Sequence, residues 1–341
     1  ACIAAAYYEV LEALSSAPEG LYWCELALAA LDPYVPPHLE APLRLALCKG
    51  YSNSGSVTRA IVAATSAARL YRTIEQGWTP RNFSLRSALA YALGFLAFNL
   101  TIQGGRDEAK HAASEAVRIA REEKETYVQA FALTVRSTTI DANDVTTRRA
   151  LIAEAKELSR SFPGSLIFGL ALLEGCSAEF AAGDFDRARE YAHEAAGYYK
   201  RHGLGEDIAL LALSLSAVSS FAADRFDEAE VEAHTALSQA NQASPGFLTP
   251  ALQVVASIAA RRGRPEIAAQ LMDGVQRFSS DVRKPSWRPA LDLHERTLKQ
   301  LRTTHNAEQL SAWTAQSREW SFKEYAAAAL RSRSYASELF E

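Results

Sequence analysis

The sequence predicts an all-α protein, a solenoid in which antiparallel helix pairs stack one on another. Three observations predict it. Glycine and proline are sparse, 17 and 12 residues in 341, while alanine and leucine dominate, a composition that favours helix along nearly the whole chain. No stretch sustains the period-2 alternation of Val, Ile, Thr and aromatic residues that marks a strand. The chain also repeats itself at a spacing near 40 residues, as stacked supersecondary units do.

Residues 1–80 read as helices broken by DPYVPPHLEAP (32–42) and KGYSNSGS (49–56), an irregular N-terminal helical region. Over 81–305 the repeat takes over. Four segments align: GRDEAKHAASEAVRIA from Gly105, DFDRAREYAHEAAGYY from Asp184, RFDEAEVEAHTALSQA from Arg225 and RPEIAAQLMDGVQRF from Arg264. A weaker copy, TRRALIAEAKEL, places Ala150 in line with Ala109, Ala188, Ala229 and Ala268, giving steps of 41, 38, 41 and 39 residues.

Each copy joins an apolar first helix (SALAYALGFLAF, SLIFGLALLEGCSAEF, IALLALSLSAVSSFAA, LTPALQVVASIAA) to an amphipathic second helix. The turns are QGGR, AAGDFD, AADRFD and RRGRPE, in which Gly105, Gly183 and Gly263 are expected to supply left-handed backbone. Asp186 and Asp227 complement the positive end of the following helix, and Pro265 fits a first helical turn. In the second helices Ala188, Tyr191, Ala192, Ala195 and Tyr198 form one stripe, with Arg187, Arg189, Glu190 and Glu194 toward water. A first helix apolar nearly all round must be covered on several sides, and stacking provides the cover.

The spacing of small residues, Cys176, Ala188, Ala192, Ala195 and then Ala217, Ala229, Ala233, Ala236, resembles tetratricopeptide repeats. That family's repeat is about 34 residues, so the longer period implies longer helices or loops. The resemblance implies a right-handed superhelix, with positions 2, 5, 9 and 12 of each first helix facing an inner groove. Those positions fall on Tyr91, Gly94, Phe98 and Thr101; Leu170, Leu173, Ser177 and Phe180; Leu211, Ser214, Val218 and Phe221; and Pro250, Gln253, Ser257 and Ala260. The middle copy adds Ala132, Val135, Thr139 and Ala142. The candidate binding residues are Tyr91, Phe98, Thr139, Leu173, Ser177, Phe180, Ser214, Val218, Phe221, Gln253 and Ser257. The Lys and Asn of the family's clamp for chaperone tails are missing. An apolar groove with scattered hydroxyls suits an amphipathic helix or a small amphiphilic ligand, unless several of these side chains pack inward.

A further pair, 287–302 and 307–317, extends the stack, and 306–341 read as C-terminal capping helices. The segment AWTAQSREWSFKEYAAAAL (312–330) resembles the end of the helical-repeat arm in bacterial signal-transduction ATPases, including LuxR-type transcriptional activators. Trp313, Arg318, Trp320, Ser321, Glu324, Tyr325 and Leu330 fall in step with it, while Ser317 stands where the family usually has glycine. Independently, Ser321 and Glu324 have the spacing of a capping box. The resemblance implies a non-catalytic sensor arm that binds an inducer or partner, with ATPase and DNA-binding modules on the same polypeptide. The only methionine is Met272, consistent with a piece of a longer protein. The alternative is a stand-alone scaffold that binds a peptide or protein.

Other classes find less support. A net charge of −4 gives no electrostatic reason to hold nucleic acid or anionic membrane. No uninterrupted apolar run reaches membrane-spanning length; the closest, 208–223, is broken by serines and reads as a buried helix. The N-terminus carries Glu9 and Glu12 and no basic stretch, which argues against a secretory signal and for the cytoplasm. Cys2, Cys24, Cys48 and Cys176 lack CxxC spacing and read as small buried residues. No phosphate-cradling loop, HExxH, GxSxG or calcium-loop motif occurs, so neither catalysis nor a cofactor is expected. His193 and His234 share a repeat position, a geometry for a common metal or pH switch, though solvated histidines explain them as well. Glu122–Glu123 and Glu206–Asp207 read as solvated helix-end charges. Arg283, Lys284 and Arg288 with Trp287 form a basic–aromatic cluster, a candidate partner contact.

Overall fold

The computed structural model describes residues 2–13, 17–32, 34–239, 241, 245–279 and 288–337. Among them the chain is all-α, with one short 3-10 turn (Pro80–Asn82) and no strand. The helices are α1 (Cys2–Ala13), α2 (Ala17–Ala29), α3 (Pro37–Asn53), α4 (Val57–Tyr71), α5 (Leu85–Gln103), α6 (Arg106–Glu123), α7 (Thr126–Thr138), α8 (Val145–Ser159) and α9 (Leu166–Ala181). They continue as α10 (Phe185–His202), α11 (Glu206–Ala222), α12 (Phe226–Leu237), α13 (Pro245–Arg261), α14 (Pro265–Ser279), α15 (Arg288–Thr304), α16 (Ala307–Ser317) and α17 (Phe322–Ser337). The chain divides into two compact units, 1–174 and 175–341, with the boundary inside α9.

One register governs the second helices. Counted from the residue that precedes each helix, the side chains four, eight and eleven places on are buried. In α6 these are Ala109, Ala113 and Ala116; in α10, Ala188, Ala192 and Ala195; in α12, Ala229, Ala233 and Ala236; in α14, Ala268, Met272 and Val275. Small side chains there let paired helices approach closely. The same count in α4 gives Ala60, Ala64 and Ala67, so the pair α3–α4 carries the repeat into the region expected to be irregular.

In α8 the count corrects the sequence alignment. Asp144 caps this helix by accepting the Thr147 N–H at 3.1 Å, which puts Arg148, Ile152 and Ala155 on the buried stripe. Ala150, aligned with the other alanines from sequence, is exposed. From Ala60 through Ala109, Arg148, Ala188 and Ala229 to Ala268 the steps are therefore 49, 39, 40, 41 and 39 residues. Arg148 stands where the other copies have alanine; its guanidinium donates to Glu174 Oε1 at 2.8 Å, and both side chains are buried. A second correction concerns the first turn of the repeat. Gly104 (φ +95) takes the left-handed conformation after α5, and Gly105 does not.

In unit 1, α3 pairs with α4, α5 with α6 and α7 with α8, and α5 lies against α7. Helix α5 is long and apolar enough to cross a membrane by length and composition, unlike the 208–223 run singled out from sequence. More than half of it is buried in the core, among Tyr71, Ala113 and Phe131. Cys24, Cys48 and Cys176 are buried as expected and Cys2 is half-buried. Burial pushes the thiols of Cys24 and Cys48 up to about 12.

In unit 2 the first helices α11, α13 and α15 lie side by side, α12 and α14 pair with them, and α16 rests on α14. Helix α17 turns back over α12, α13 and α14. Its start carries the expected capping box: the Ser321 N–H donates to Glu324 Oε2 at 2.6 Å, and the Glu324 N–H to Ser321 Oγ at 3.4 Å. The ring of Tyr325 lies against Gly274 of α14, where a Cβ would come within 2.7 Å of it.

Candidate functional site

The expected groove positions divide into two groups. Leu173, Ser214 and Val218 are buried, and the Ser214 hydroxyl donates back to the Leu210 carbonyl at 2.8 Å. Tyr91 is buried in a ring cluster with Phe83, Phe95, Tyr127 and Phe131, at centroid distances of 5.7, 5.1, 6.1 and 5.0 Å. These four side chains face the core. Phe98, Ser177, Phe180 and Phe221 are half-buried, the last two packed on Phe185 and Phe226 of the helices that follow. Thr139 ends α7: its hydroxyl accepts from Arg136 Nη1 at 2.8 Å and donates to the Arg136 carbonyl at 2.9 Å. The corrected register puts Ser137 rather than Thr139 at the equivalent groove position, and Ser137 is fully buried.

Ser257 is brought together with Thr297 of α15, and Gln253 and His294 lie about one turn earlier on the two helices; sequence reasoning missed both residues of α15. Ser257 Oγ lies 2.7 Å from Thr297 Oγ1, a bond across the seam between α13 and α15. Gln253 Oε1 is buried without a hydrogen-bond partner, and so is His294 Nδ1. Burial holds the His294 imidazole below its ordinary pKa, so it is neutral at pH 7. The signal was present in the sequence, since His294 and Thr297 follow Gln253 and Ser257 by 41 and 40 residues. Gln253, Ser257 and Thr297 are themselves buried. Buried polar atoms in native proteins nearly always have partners, and an unpaired one marks a place for a ligand or water.

The two histidines of equal repeat position hold different partners. His193 Nε2 lies 2.9 Å from Glu232 Oε1 and 3.0 Å from Ser216 Oγ, whereas His234 Nε2 lies 3.2 Å from the Ala329 carbonyl oxygen. Ser216 and Glu232 meet the same ring nitrogen, so the trio is no serine relay, which needs the two groups on opposite nitrogens. Among the described residues no three His, Cys, Asp or Glu side chains converge on a metal-sized point. Arg283, Lys284 and Trp287 lie outside the described residues, as does the side chain of Arg288.

Glu232 is the hub between α10, α11 and α12. Burial pulls its pKa upward, but bonds from His193, from Ser220 Oγ (2.8 Å) and from Arg189 Nε (2.9 Å) outweigh it and hold the carboxyl below its ordinary value. A depressed carboxyl contributes stability that is complete above its unfolded pKa of about 4.3 and lost as pH falls through the folded value. The stability gap between wild type and Glu232→Gln in urea unfolding is thus expected to be wide at pH 7 and narrower at pH 3. An equal gap at both pH values would refute this role.

No family model matches the chain, and no curated protein matches it. Among solved structures it is similar to a Rap protein complexed with Competence and Sporulation Factor, with a TM-score of 0.59 over 85% of this chain and 80% of that one, at 13% identity. The likeness is one of fold. A second neighbour, the apo form of RapI, aligns over 88% of this chain and 96% of that one at 12% identity, with a TM-score of 0.43. The all-α helical-repeat architecture expected from the repeats is the one observed.

Proposed function

We propose that the chain is a non-catalytic scaffold that holds a peptide segment of a partner at the seam between the first helices α13 and α15 of unit 2. The unpaired Gln253 Oε1 and His294 Nδ1, on the two helices joined by the Ser257–Thr297 bond, carry this reading. A peptide main chain carries both donors and acceptors for such atoms, and the half-buried Phe221 offers apolar area on the neighbouring first helix α11. The fold shared with a Rap protein solved with its factor supports the same reading. The tied His193 and the raised thiols of Cys24 and Cys48 make poor nucleophiles, which favours binding over chemistry.

Selection of random heptapeptides on the purified chain tests it. The enriched peptide is expected to lose at least tenfold in affinity with Gln253→Leu, while the melting temperature holds or rises, because an unpaired buried amide costs about 1–3 kcal/mol. No enrichment, or binding indifferent to both Gln253→Leu and Phe221→Ala, would sink the proposal.

The tail supports a second reading, in which this scaffold is the sensor arm of a multidomain transcriptional regulator. Its Ser321–Glu324 box forms, and Tyr325, in step with the family pattern, is fully buried. An inducer or partner bound to the arm would then bias an ATPase module on the same polypeptide. An immunoblot for the intact polypeptide distinguishes the two. A product of about 90 kDa or more, the sum of several ordinary domains, favours the arm. One near 37.2 kDa leaves the scaffold alone.

A further inference from the structure

The connection between α4 and α5 is longer than the repeat requires. The step from Ala60 to Ala109 is 49 residues, against 39–41 elsewhere, and the excess falls in RTIEQGWTPRNFS (72–84). Arg81 (φ +53) and Asn82 (φ +56) in this loop are both left-handed, a conformation that costs any residue other than glycine energy. The other non-glycine residues of this kind among those described, Lys124 and Asp224, occur singly just past the ends of α6 and α11. The strained pair is held from both sides. Thr79 Oγ1 donates to the Phe83 carbonyl at 2.5 Å, and the Phe83 ring is buried 5.9 Å from Tyr127 and 5.7 Å from Tyr91.

The strain places Arg81 over an aromatic face. Its guanidinium carbon lies 4.3 Å from the centroid of Tyr127, a ring fixed by Tyr91 and Phe162. The arginines flanking the loop are paired, Arg72 with Glu115 and Arg86 with Glu122 and Glu123. Arg81 is exposed and, among the described residues, has no carboxylate within ion-pair distance. A guanidinium seated on a ring keeps its N–H fork free and pre-oriented for a planar oxyanion, and the ring limits the freedom lost on binding. Asn82 adds an exposed carboxamide next in the chain, and Trp78 adds exposed apolar surface in the same loop.

We propose that Arg81 is an oxyanion-binding residue on unit 1 that takes a peptide carboxylate lying beside an apolar side chain. The site stands independently of the unit 2 seam. Titration of the full chain, followed by chemical-shift changes, tests it with four probes: acetyl-Ala-Phe as the free acid, acetyl-Ala-Phe-amide, acetyl-Phe-Asp-amide and inorganic phosphate. The free acid or the aspartyl peptide is expected to bind and the neutral amide to bind at least tenfold more weakly. Which of the two acids binds more tightly separates a chain terminus from a side chain as the source. Arg81→Gln, at an exposed position, is expected to keep the melting temperature and lose at least tenfold in affinity, with Arg81→Lys restoring only part because the fork is gone. Raising salt should weaken binding in wild type but not in Arg81→Gln. Equal binding of the acids and the amide, unchanged affinity in Arg81→Gln, or phosphate bound in preference to both acids would each overturn the assignment.

Discussion

Replacing Arg148 with alanine is expected to destabilise unit 1 by about 3–5 kcal/mol, although alanine is what α4, α6, α10, α12 and α14 carry at this place. The reason is its partner. Glu174 is buried, and burial pushes its carboxyl up from the ordinary value, while Arg148 and Ser137 pull the other way. Without the guanidinium the carboxylate must stay charged in an apolar layer or take a proton. A carboxyl raised in the folded state contributes stability that is complete below its unfolded pKa and lost as pH rises through the folded value. The cost of Arg148→Ala is therefore expected to be larger at pH 7.5 than at pH 5 in denaturant unfolding. The double variant Arg148→Ala with Glu174→Leu should recover most of the loss, since an apolar replacement of a buried pair is often neutral or stabilising. A small, pH-independent cost for the single variant would show that the pair is not buried as described.

The second large effect is expected at Tyr325. Its ring is fully buried against Gly274, and its hydroxyl lies 2.7 Å from both Asp273 Oδ2 and the Ser317 carbonyl oxygen. Two further polar ties of α17 run from side chains to its main chain: His234 to the Ala329 carbonyl at 3.2 Å and Arg264 to the Ser332 carbonyl at 2.6 Å. Such ties orient a helix, but burial of its two large apolar side chains Tyr325 and Phe322, with Ala326 and Ala329, holds it in the core. Tyr325→Ala is expected to cost about 3–5 kcal/mol and to release α17, read as loss of amide-exchange protection over 322–332 while α13 keeps its protection. Tyr325→Phe keeps the ring and should cost only about 1 kcal/mol. Protection of α17 unchanged in Tyr325→Ala would mean that another contact holds it.

Much of the fold was legible because alanine at fixed spacing reports close helix approach directly. Ala109, Ala188, Ala229 and Ala268 are all buried, and the Ser321–Glu324 box forms where the spacing places it. The register slipped at α8 because a charged residue, Arg148, fills an alanine slot, and a small-residue pattern moves to the nearest alanine. The α4 copy escaped notice because the 72–84 insertion breaks the period. The place of α17 was not legible, since amphipathicity says which face of a helix is covered and not by what. The same limit applies to the site. A first helix that is apolar nearly all round gives no sign of which positions look outward, so Tyr91, Leu173, Ser214, Val218, Gln253 and Ser257, which are buried, could not be told from the half-buried Phe98 or Phe221. His294 and Thr297 lay one repeat beyond the last aligned copy, so the seam they complete was half seen.

Photo-crosslinking tests the central claim most directly. A peptide selected on the chain, carrying a benzophenone at each position in turn, would be irradiated in complex and its adducts mapped by mass spectrometry. The α13–α15 seam proposed as the binding site of unit 2 predicts adducts on α13 and α15 around Gln253, Ser257, His294 and Thr297, and their disappearance in Gln253→Leu. Adducts confined to the outer faces of α10, α12 or α14, or adducts that persist in Gln253→Leu, would contradict it.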